Sequence, residues 1–295
     1  MSSPTFSCWH QGVYPLARPG RSLQMGWYAA FPPPKALSHV VACSYTATST
    51  GRHRLVPDGC IDLVSTSDGS LWLCGPERTG WDFELPSGIR AIGVRFRPGA
   101  ASALLRRSAA DLADTRWRLR TIVGNDAEDE LRSDIANVGP TGTAAALQRF
   151  VAVLVDQMTT RDKRLLQFSD SVLDTLAESP HANAALLAYS LGMSVRQLHR
   201  GAVWSFGYGP ATLARLLRLQ RFLAMGSIPG PGVRCPVLGQ LAVDAGYSDQ
   251  AHLTRECRTI CGLTPTDLLG QYVPTFPDMS DPFKTSGRFA VSMCT

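Results

Sequence analysis

The sequence lacks the features that mark membrane and secreted proteins. No stretch approaches the ~18 uninterrupted apolar residues of a membrane-spanning helix, and the opening MSSPTFSCWHQG has neither the basic start nor the apolar run of a secretory signal. The 8 cysteines are scattered over 295 residues without a CxxC or CxxH pair. We therefore expect a soluble cytoplasmic protein with reduced, mostly buried thiols and no membrane partner.

Patterns of catalysis and metal binding are also missing. No G-x-S-x-G, Walker or Rossmann pattern occurs. Asp58, Cys60 and Asp62 alternate along the chain and could form a metal or reactive-thiol site, but no histidine is nearer than His53; a turn that enters a strand is the favoured interpretation. Cys257 and Cys261 lack a second pair to complete a tetrahedral zinc site, which favours core thiols. The residues predict no enzyme, no cofactor and no metal.

Charge is concentrated in one part of the chain. Apolar residues make up 44% of the sequence and charged residues 18%, and the mean hydropathy is −0.02, so folded cores are expected. Of the net charge of +5, residues 180–273 carry +4, from eight arginines, no lysine and four acids. Arginine suits bidentate contacts to phosphate and guanine. A solvated helical surface is the alternative explanation.

The pattern of apolar residues divides the chain into two domains and a tail. Residues 1–98 predict short strands separated by Pro, Gly, Ser and Asp, as in a small barrel or sandwich. From Ala100 to about Met158 the spacing is helical, and these helices are expected to pack on the strands or on a second copy of this unit. The polar stretch Thr159 to Lys163 is the candidate linker. The expected fold class is α+β, with domains at 1–160 and 165–273 and a flexible tail at 274–295.

The basic domain contains an internal repeat. LAYSLGMS at 187–194 recurs as LAVDAGYS at 241–248, an offset of 54 residues. The alignment resumes at an offset of 55, where Arg200 meets Arg255 and GYGP at 207–210 meets GLTP at 262–265. The extra residue falls in a turn, so each copy predicts two helices joined by a short turn.

Each copy is predicted to be a helix-turn-helix unit. A glycine ends the first helix, and Ser194 or Asp249 caps the second. The inward residues are predicted to be Val195, Leu198 and Ala202 in the first copy, and Leu253 and Cys257 in the second. The outward faces carry Arg, Gln and His, which can read base edges in a major groove. A single copy could be an ordinary αα-hairpin, but two copies in a basic segment favour DNA.

A long helix is predicted between the copies, from Pro210 to about Met225. It would span roughly 24 Å and could hold two reading helices about one turn of DNA apart, roughly 34 Å. The loop from Gly226 to Pro236 is too rich in Pro and Gly to continue it.

The C-terminal third resembles the DNA-binding domain of AraC/XylS-type transcriptional regulators, through LAYSLGMSVRQLHR, GYGPATLARLLRLQRF, LAVDAGYSDQAHLTREC and CGLTPTDLL. The resemblance implies two helix-turn-helix units joined by a long helix, the second helix of each unit reading bases. With the caps and the rest of the outward face, the candidate DNA-binding residues are Ser194, Arg196, His199, Arg200, Asp249, Gln250, Ala251, Thr254, Arg255 and Arg258. Two departures are that the family's usual aromatic is missing at Ala202 and Cys257, and that the loop between the units is long.

The N-terminal part is similar to a domain found in one branch of these regulators, through VPDGCIDLV at 56–64, Gly75-Pro76 and GVRFRPGAA at 93–101. This resemblance implies a cupin-like β-barrel followed by helices, which senses an effector or dimerises. The expected protein is a transcription regulator whose partners are double-stranded DNA, a small-molecule effector, a second copy, and RNA polymerase if it activates. The alternative is an enzymatic or small-molecule-binding barrel with an accessory helical interaction domain.

Overall fold

The computed structural model describes residues 23–25, 28–49, 52–84, 86–226 and 237–272. The predicted tail at 274–295 lies outside these ranges, as do residues 227–236 of the predicted loop and three of the cysteines (Cys8, Cys235 and Cys294). The described residues form nine strands: β1 Leu23–Met25, β2 Tyr28–Phe31, β3 Val41–Thr48, β4 Arg52–Leu55, β5 Asp62–Thr66, β6 Leu71–Cys74, β7 Trp81–Glu84, β8 Arg90–Phe96 and β9 Arg116–Arg118.

The strands form two antiparallel sheets. Seven pair in the order β1-β2-β3-β8-β5-β6-β9, and β4 and β7 form a separate two-stranded ribbon. The apolar runs of the sequence became the central strands β3, β5, β6 and β8, whose alternate side chains enter apolar clusters on the two faces of the sheet. This confirms the prediction of a β-rich N-terminal part.

Four helices follow β8, with β9 between the second and the third: α1 Ala100–Leu105, α2 Ala109–Leu112, α3 Leu119–Val123 and α4 Asn125–Asp156. Their apolar side chains pack on the large sheet and form the first core with Leu63, Leu73, Val94 and Phe96. The predicted packing of helices on strands is therefore confirmed. The segment is not wholly helical, because β9 pairs with β6 at the edge of the sheet.

Helix α4 is long and apolar enough to cross a membrane by length and composition alone. It is broken at Gly139, where φ is 68° and ψ is −176°, and Pro140 starts the second part. Neither part alone reaches the ~20 residues that a bilayer requires. Leu131 in the first part and Leu147 and Val151 in the second are buried in the first core.

The predicted linker is a helix start. Thr159 caps α5, Thr160–Glu178, through a capping box in which Thr159 Oγ1 accepts from the Asp162 N–H and the Asp162 carboxylate accepts from the Thr159 N–H. The polar composition of 159–163 therefore reflects capping chemistry. Leu166 packs in the first core, whereas Val172 and Leu173 pack in the second. The proposed division between 160 and 165 falls inside this helix.

The remaining helices are α6 Ala184–Ser190, α7 Val195–Phe206, α8 Pro210–Gly226, α9 Leu238–Ala245, α10 Gln250–Cys261 and α11 Pro265–Tyr272. They surround a second core in which α8 is central, since Leu213, Leu219, Phe222 and Leu223 are all 0% exposed. Pro210 stands in the first turn of α8, where its missing N–H removes no helical hydrogen bond. The predicted long helix between the copies is confirmed.

Phe206 is a test of this packing. Its side chain is 1% exposed in the second core and also lies beside Gly99, at the start of α1. Phe206→Ala is expected to lower the free energy of unfolding by about 3 to 5 kcal/mol, because it leaves a cavity. Denaturant titration measures this, and the half-buried Val203→Ala in the same helix should cost about 1 kcal/mol or less. Equal losses in the two variants would contradict this account.

Candidate nucleic-acid interface

The first helix-turn-helix unit consists of α6, a turn and α7. Asn183 starts α6 by accepting from the Leu186 N–H at 2.9 Å. Gly192 provides the turn with φ of 65°, which a residue with a Cβ rarely adopts. Ser194 caps α7: its hydroxyl accepts from the Gln197 N–H at 3.2 Å, and the Gln197 side chain accepts from the Ser194 N–H at 2.8 Å. S-x-x-Q is a sequence pattern typical of such a capping box.

The second unit repeats this design with α9, a turn and α10. Gly246 ends α9 in the left-handed conformation with φ of 98°. Asp249 caps α10 by accepting from the His252 N–H at 2.6 Å. The glycine stops and both predicted caps are therefore confirmed, and α7 and α10 are called the reading helices below.

The inner faces of the reading helices agree with the prediction at four of five positions. Leu198, Ala202, Leu253 and Cys257 are all 0% exposed. Val195 was predicted to face inward but is 48% exposed; it is the first residue of α7, at the end of the helix that follows the turn. Ala202 and Cys257 are fully buried, so the helices pack tightly at these positions without the aromatic residue that is usual in the family.

A phenylalanine from α5 supports the first unit. A Cβ at Gly201 would lie 2.5 Å from the Phe168 ring, which shows that the ring rests directly on the backbone of α7. Any larger side chain at 201 would push α7 away from α5. The glycine and the phenylalanine together allow the close approach of these two helices.

The candidate DNA-binding residues lie on the outer faces. Nine of the ten are exposed, and Thr254 is half-buried with its hydroxyl donating to the Gln250 carbonyl at 2.8 Å. The exposed nine are Ser194, Arg196, His199, Arg200, Asp249, Gln250, Ala251, Arg255 and Arg258. They form two polar surfaces, one on each unit. Their contacts to bases remain a prediction.

The arginines of the basic segment divide into two groups. Within the described residues, Arg196, Arg200, Arg255 and Arg258 on the reading helices form no ion pair. The three on α8 hold the domain together instead. Arg215 pairs with Glu256 at 2.7 Å, while Arg218 and Arg221 donate to the carbonyls of Pro180 and Ala177. Among the described arginines of this segment, those on the reading helices are therefore the ones available to a partner; Arg234 lies outside the described residues.

Two histidines are fixed by packing. A Cβ at Gly209 would lie 3.0 Å from His199 Nε2, so this ring lies over the turn between α7 and α8. The His252 ring meets the edge of Tyr247 with centroids 5.3 Å apart, and its Nδ1 lies 3.1 Å from Ser248 Oγ. His252 thus joins the start of α10 to the preceding turn.

In the N-terminal region, Asp58, Cys60 and Asp62 form a turn into a strand, as expected. The Cys60 N–H donates to Asp58 Oδ1 at 2.9 Å, and Asp62 begins β5. Arg95 binds both carboxylates, each at 2.9 Å, and the Tyr45 hydroxyl donates to Asp62 at 3.1 Å. No group of three His, Cys, Asp or Glu suited to a metal occurs in the described ranges. Arg95, 33 residues from Asp62, was the partner that sequence spacing did not indicate.

The cysteines that the structure describes are largely core residues. Cys43, Cys60, Cys257 and Cys261 are buried, and Cys74 is half-buried. Burial raises the pKa of the Cys43, Cys74, Cys257 and Cys261 thiols to about 12. At neutral pH these thiols are protonated and therefore poor nucleophiles.

The cap of the second reading helix is a test of the unit. Asp249→Ala is expected to cost about 1 kcal/mol of unfolding free energy and to speed amide exchange at His252, because the N–H loses its acceptor. Asp249→Asn keeps an acceptor oxygen and should restore both. Asp244→Ala, which removes an exposed carboxylate of the same unit, should change stability by less than about 0.5 kcal/mol. A loss in Asp249→Asn as large as that in Asp249→Ala would show that the charge matters, not the cap.

Comparison with known proteins gives matches to both parts of the chain. Residues 187–271 match a helix-turn-helix domain model, and residues 29–118 match DUF6597, a domain of unknown function. No curated protein matches.

Three solved structures of ToxT from Vibrio cholerae are loosely similar. One is 10% identical with a TM-score of 0.41 and covers 77% of this chain and 98% of its own. A 1.65 Å structure is 11% identical with a TM-score of 0.40 and covers 85% and 99%. ToxT bound to an unsaturated fatty acid is 10% identical with a TM-score of 0.40 and covers 85% and 96%. The repeat, the two capped units and the domain match show that residues 187–271 are a helix-turn-helix DNA-binding domain of the AraC type.

Proposed function

We propose that the protein is a sequence-specific transcription regulator that acts in the cytoplasm and reads DNA with α7 and α10. The observation that supports this most is the pair of aligned units, each exposing arginines without an ion pair among the described residues. Two units on one polypeptide can reach two successive major grooves on the same side of the duplex. The long helix α8 between them sets their separation.

The exposed residues divide by the bases that their side chains fit. Arg196, Arg200 and Arg255 can each donate two hydrogen bonds to a guanine edge, and Gln250 can do the same at adenine. Ala251 and the Thr254 methyl group offer apolar contact to a thymine methyl. Arg258, in the last turn of α10, is placed for phosphate rather than bases.

The remaining candidates support these readers. Ser194 and Asp249 start the reading helices and so set which residues face the groove. His199 lies over Gly209 and is exposed on the same helix as Arg196 and Arg200. These positions complete the proposed interface.

The N-terminal domain, proposed as 1–160, is the regulatory part. It packs against the DNA-binding domain, proposed as 165–273, so a conformational change in one domain can be transmitted to the other. We assign to it the binding of a small-molecule effector, dimerisation, or both. RNA polymerase is the further partner if the protein activates transcription.

The test is selection of bound genomic DNA fragments with the purified full-length protein at several salt concentrations. We expect a motif with two half-sites about one helical turn apart. Binding that is motif-free and falls steeply with salt would overturn the proposal, because phosphate contacts alone would then explain it.

The reading residues are tested on the selected site. Arg200→Ala and Arg255→Ala are each expected to cost about 1 to 3 kcal/mol of binding free energy, roughly 5- to 150-fold, and to relax preference at one base position in separate half-sites. Binding titrations with single-base variants of the site measure this.

The matched control is Arg149→Ala. Arg149 lies on α4, is exposed and pairs with Asp134 at 2.7 Å, so its loss removes one arginine without touching either unit. It should leave affinity and base preference unchanged. A uniform loss at every base position in Arg200→Ala would instead place Arg200 on phosphate.

A further inference from the structure

We propose that the N-terminal domain is a clamp that holds both reading helices by their C-terminal ends and thereby restricts the spacing of half-sites the protein accepts. This rests on the proposed DNA-binding function and assigns a role to the β4-β7 ribbon. Carbonyls in the last turn of each reading helix accept hydrogen bonds from the N-terminal domain. The clamp has three points of contact.

The first contact holds α7. Ser102, in α1, donates from its hydroxyl to the Ser205 carbonyl at 3.0 Å, and both residues are 1% exposed. Gly207 ends α7 with φ of 87°, and a Cβ there would lie 3.0 Å from the Ala109 carbonyl and from Pro76. The end of the first reading helix is therefore seated directly on α1 and α2.

The second contact holds the connecting helix α8. Gln220, 2% exposed, donates from Nε2 to the Pro57 carbonyl at 2.7 Å. Tyr208 is 5% exposed and lies against Gly59, whose Cβ position is 3.2 Å from the tyrosine hydroxyl. Val56 is buried in the second core among helical residues. These groups are buried, so this contact cannot open without exposing part of the second core to solvent.

The third contact holds α10 through the ribbon. The Gly80 N–H donates to the Ile260 carbonyl at 2.6 Å, and the Arg54 guanidinium donates to the Cys261 carbonyl. These are carbonyls of the last turn, which have no partner within a helix. A cation at this end is also favoured by the helix dipole. The ribbon therefore caps the second reading helix from outside its own domain.

The ribbon is shaped for this contact. Arg54 and Asp82 are register partners on β4 and β7 and form an ion pair at 2.8 Å, which orients the guanidinium. A Cβ at Gly80 would lie 3.3 Å from the Cys261 Cα and 3.1 Å from the Leu55 carbonyl. Only glycine lets the chain approach the helix end this closely without a shift.

The three contacts differ in how easily they open. Ser102 and Gln220 are buried, whereas the Arg54 and Asp82 side chains are 23% and 29% exposed. Loss of the third contact therefore does not require the cores to unfold. Cys257 and Ile260 still pack in the second core and Glu256 still pairs with Arg215, so α10 is loosened rather than released. The position of α10 relative to α7 then depends on the packing of the second core and on the Arg215–Glu256 pair.

The experiment uses the full-length protein with Arg54→Ala and Gly80→Val, and Arg149→Ala as the matched loss of an arginine–aspartate pair elsewhere. Amide exchange without DNA reports the clamp. We expect faster exchange in the last turn of α10 in both variants, and at the residue 80 amide in Arg54→Ala. Arg54→Lys, which keeps a donor and a charge, should be intermediate. Unchanged exchange throughout the large sheet shows that the fold is intact.

Binding to the selected site, and to sites with one or two base pairs inserted between the half-sites, reports the spacing role. The penalty for insertion is expected to fall about fivefold or more in Arg54→Ala and Gly80→Val, but not in Arg149→Ala. Altered exchange with an unchanged penalty would overturn the spacing role, and unchanged exchange would overturn the clamp itself. If the wild-type protein selects no bipartite site, the proposed function fails, and exchange still decides whether the ribbon holds α10.

Discussion

The backbone groups at a helix end have no partner inside the helix, and this constraint shapes both reading helices. One N-terminal amide of each helix finds its acceptor within the same unit, at Gln197 from Ser194 and at His252 from Asp249. Carbonyls of the last turn find their donors at a distance, from Ser102 for α7 and from Gly80 and Arg54 for α10. The N-terminal ends are therefore capped within their own unit, whereas the C-terminal ends also use the N-terminal domain.

Features decided by neighbouring residues could be predicted from the sequence. The repeat, the glycine stops at 192 and 246 and the caps at 194 and 249 all depend on side chains within a few positions. The central strands were predictable because burial on both faces requires runs of apolar residues. The exposure of the candidate reading residues follows from helix periodicity once Leu198 and Leu253 are known to be buried.

Features decided by distant partners could not be predicted. Strands β4 and β7 are too polar to register as strands, and each is stabilised by the other across a separation of about 28 residues. The arginines of α8 cannot be told in sequence from those of the reading helices. In the structure, however, one forms an ion pair with Glu256 and two donate to backbone carbonyls. Thr159 to Lys163 has the composition of a linker because a capping box uses the same polar residues.

Helix α5 contributes Leu166 to one core and Val172, Leu173 and Leu176 to the other. The two domains are therefore joined by a continuous helix and not by a hinge, because apolar side chains of α5 pack in both cores. Cleavage or gene fusion at residue 160 would break the capping box of α5 and expose the apolar side chains that this helix buries. The two halves should therefore be inherited and exchanged as one piece, not as interchangeable modules.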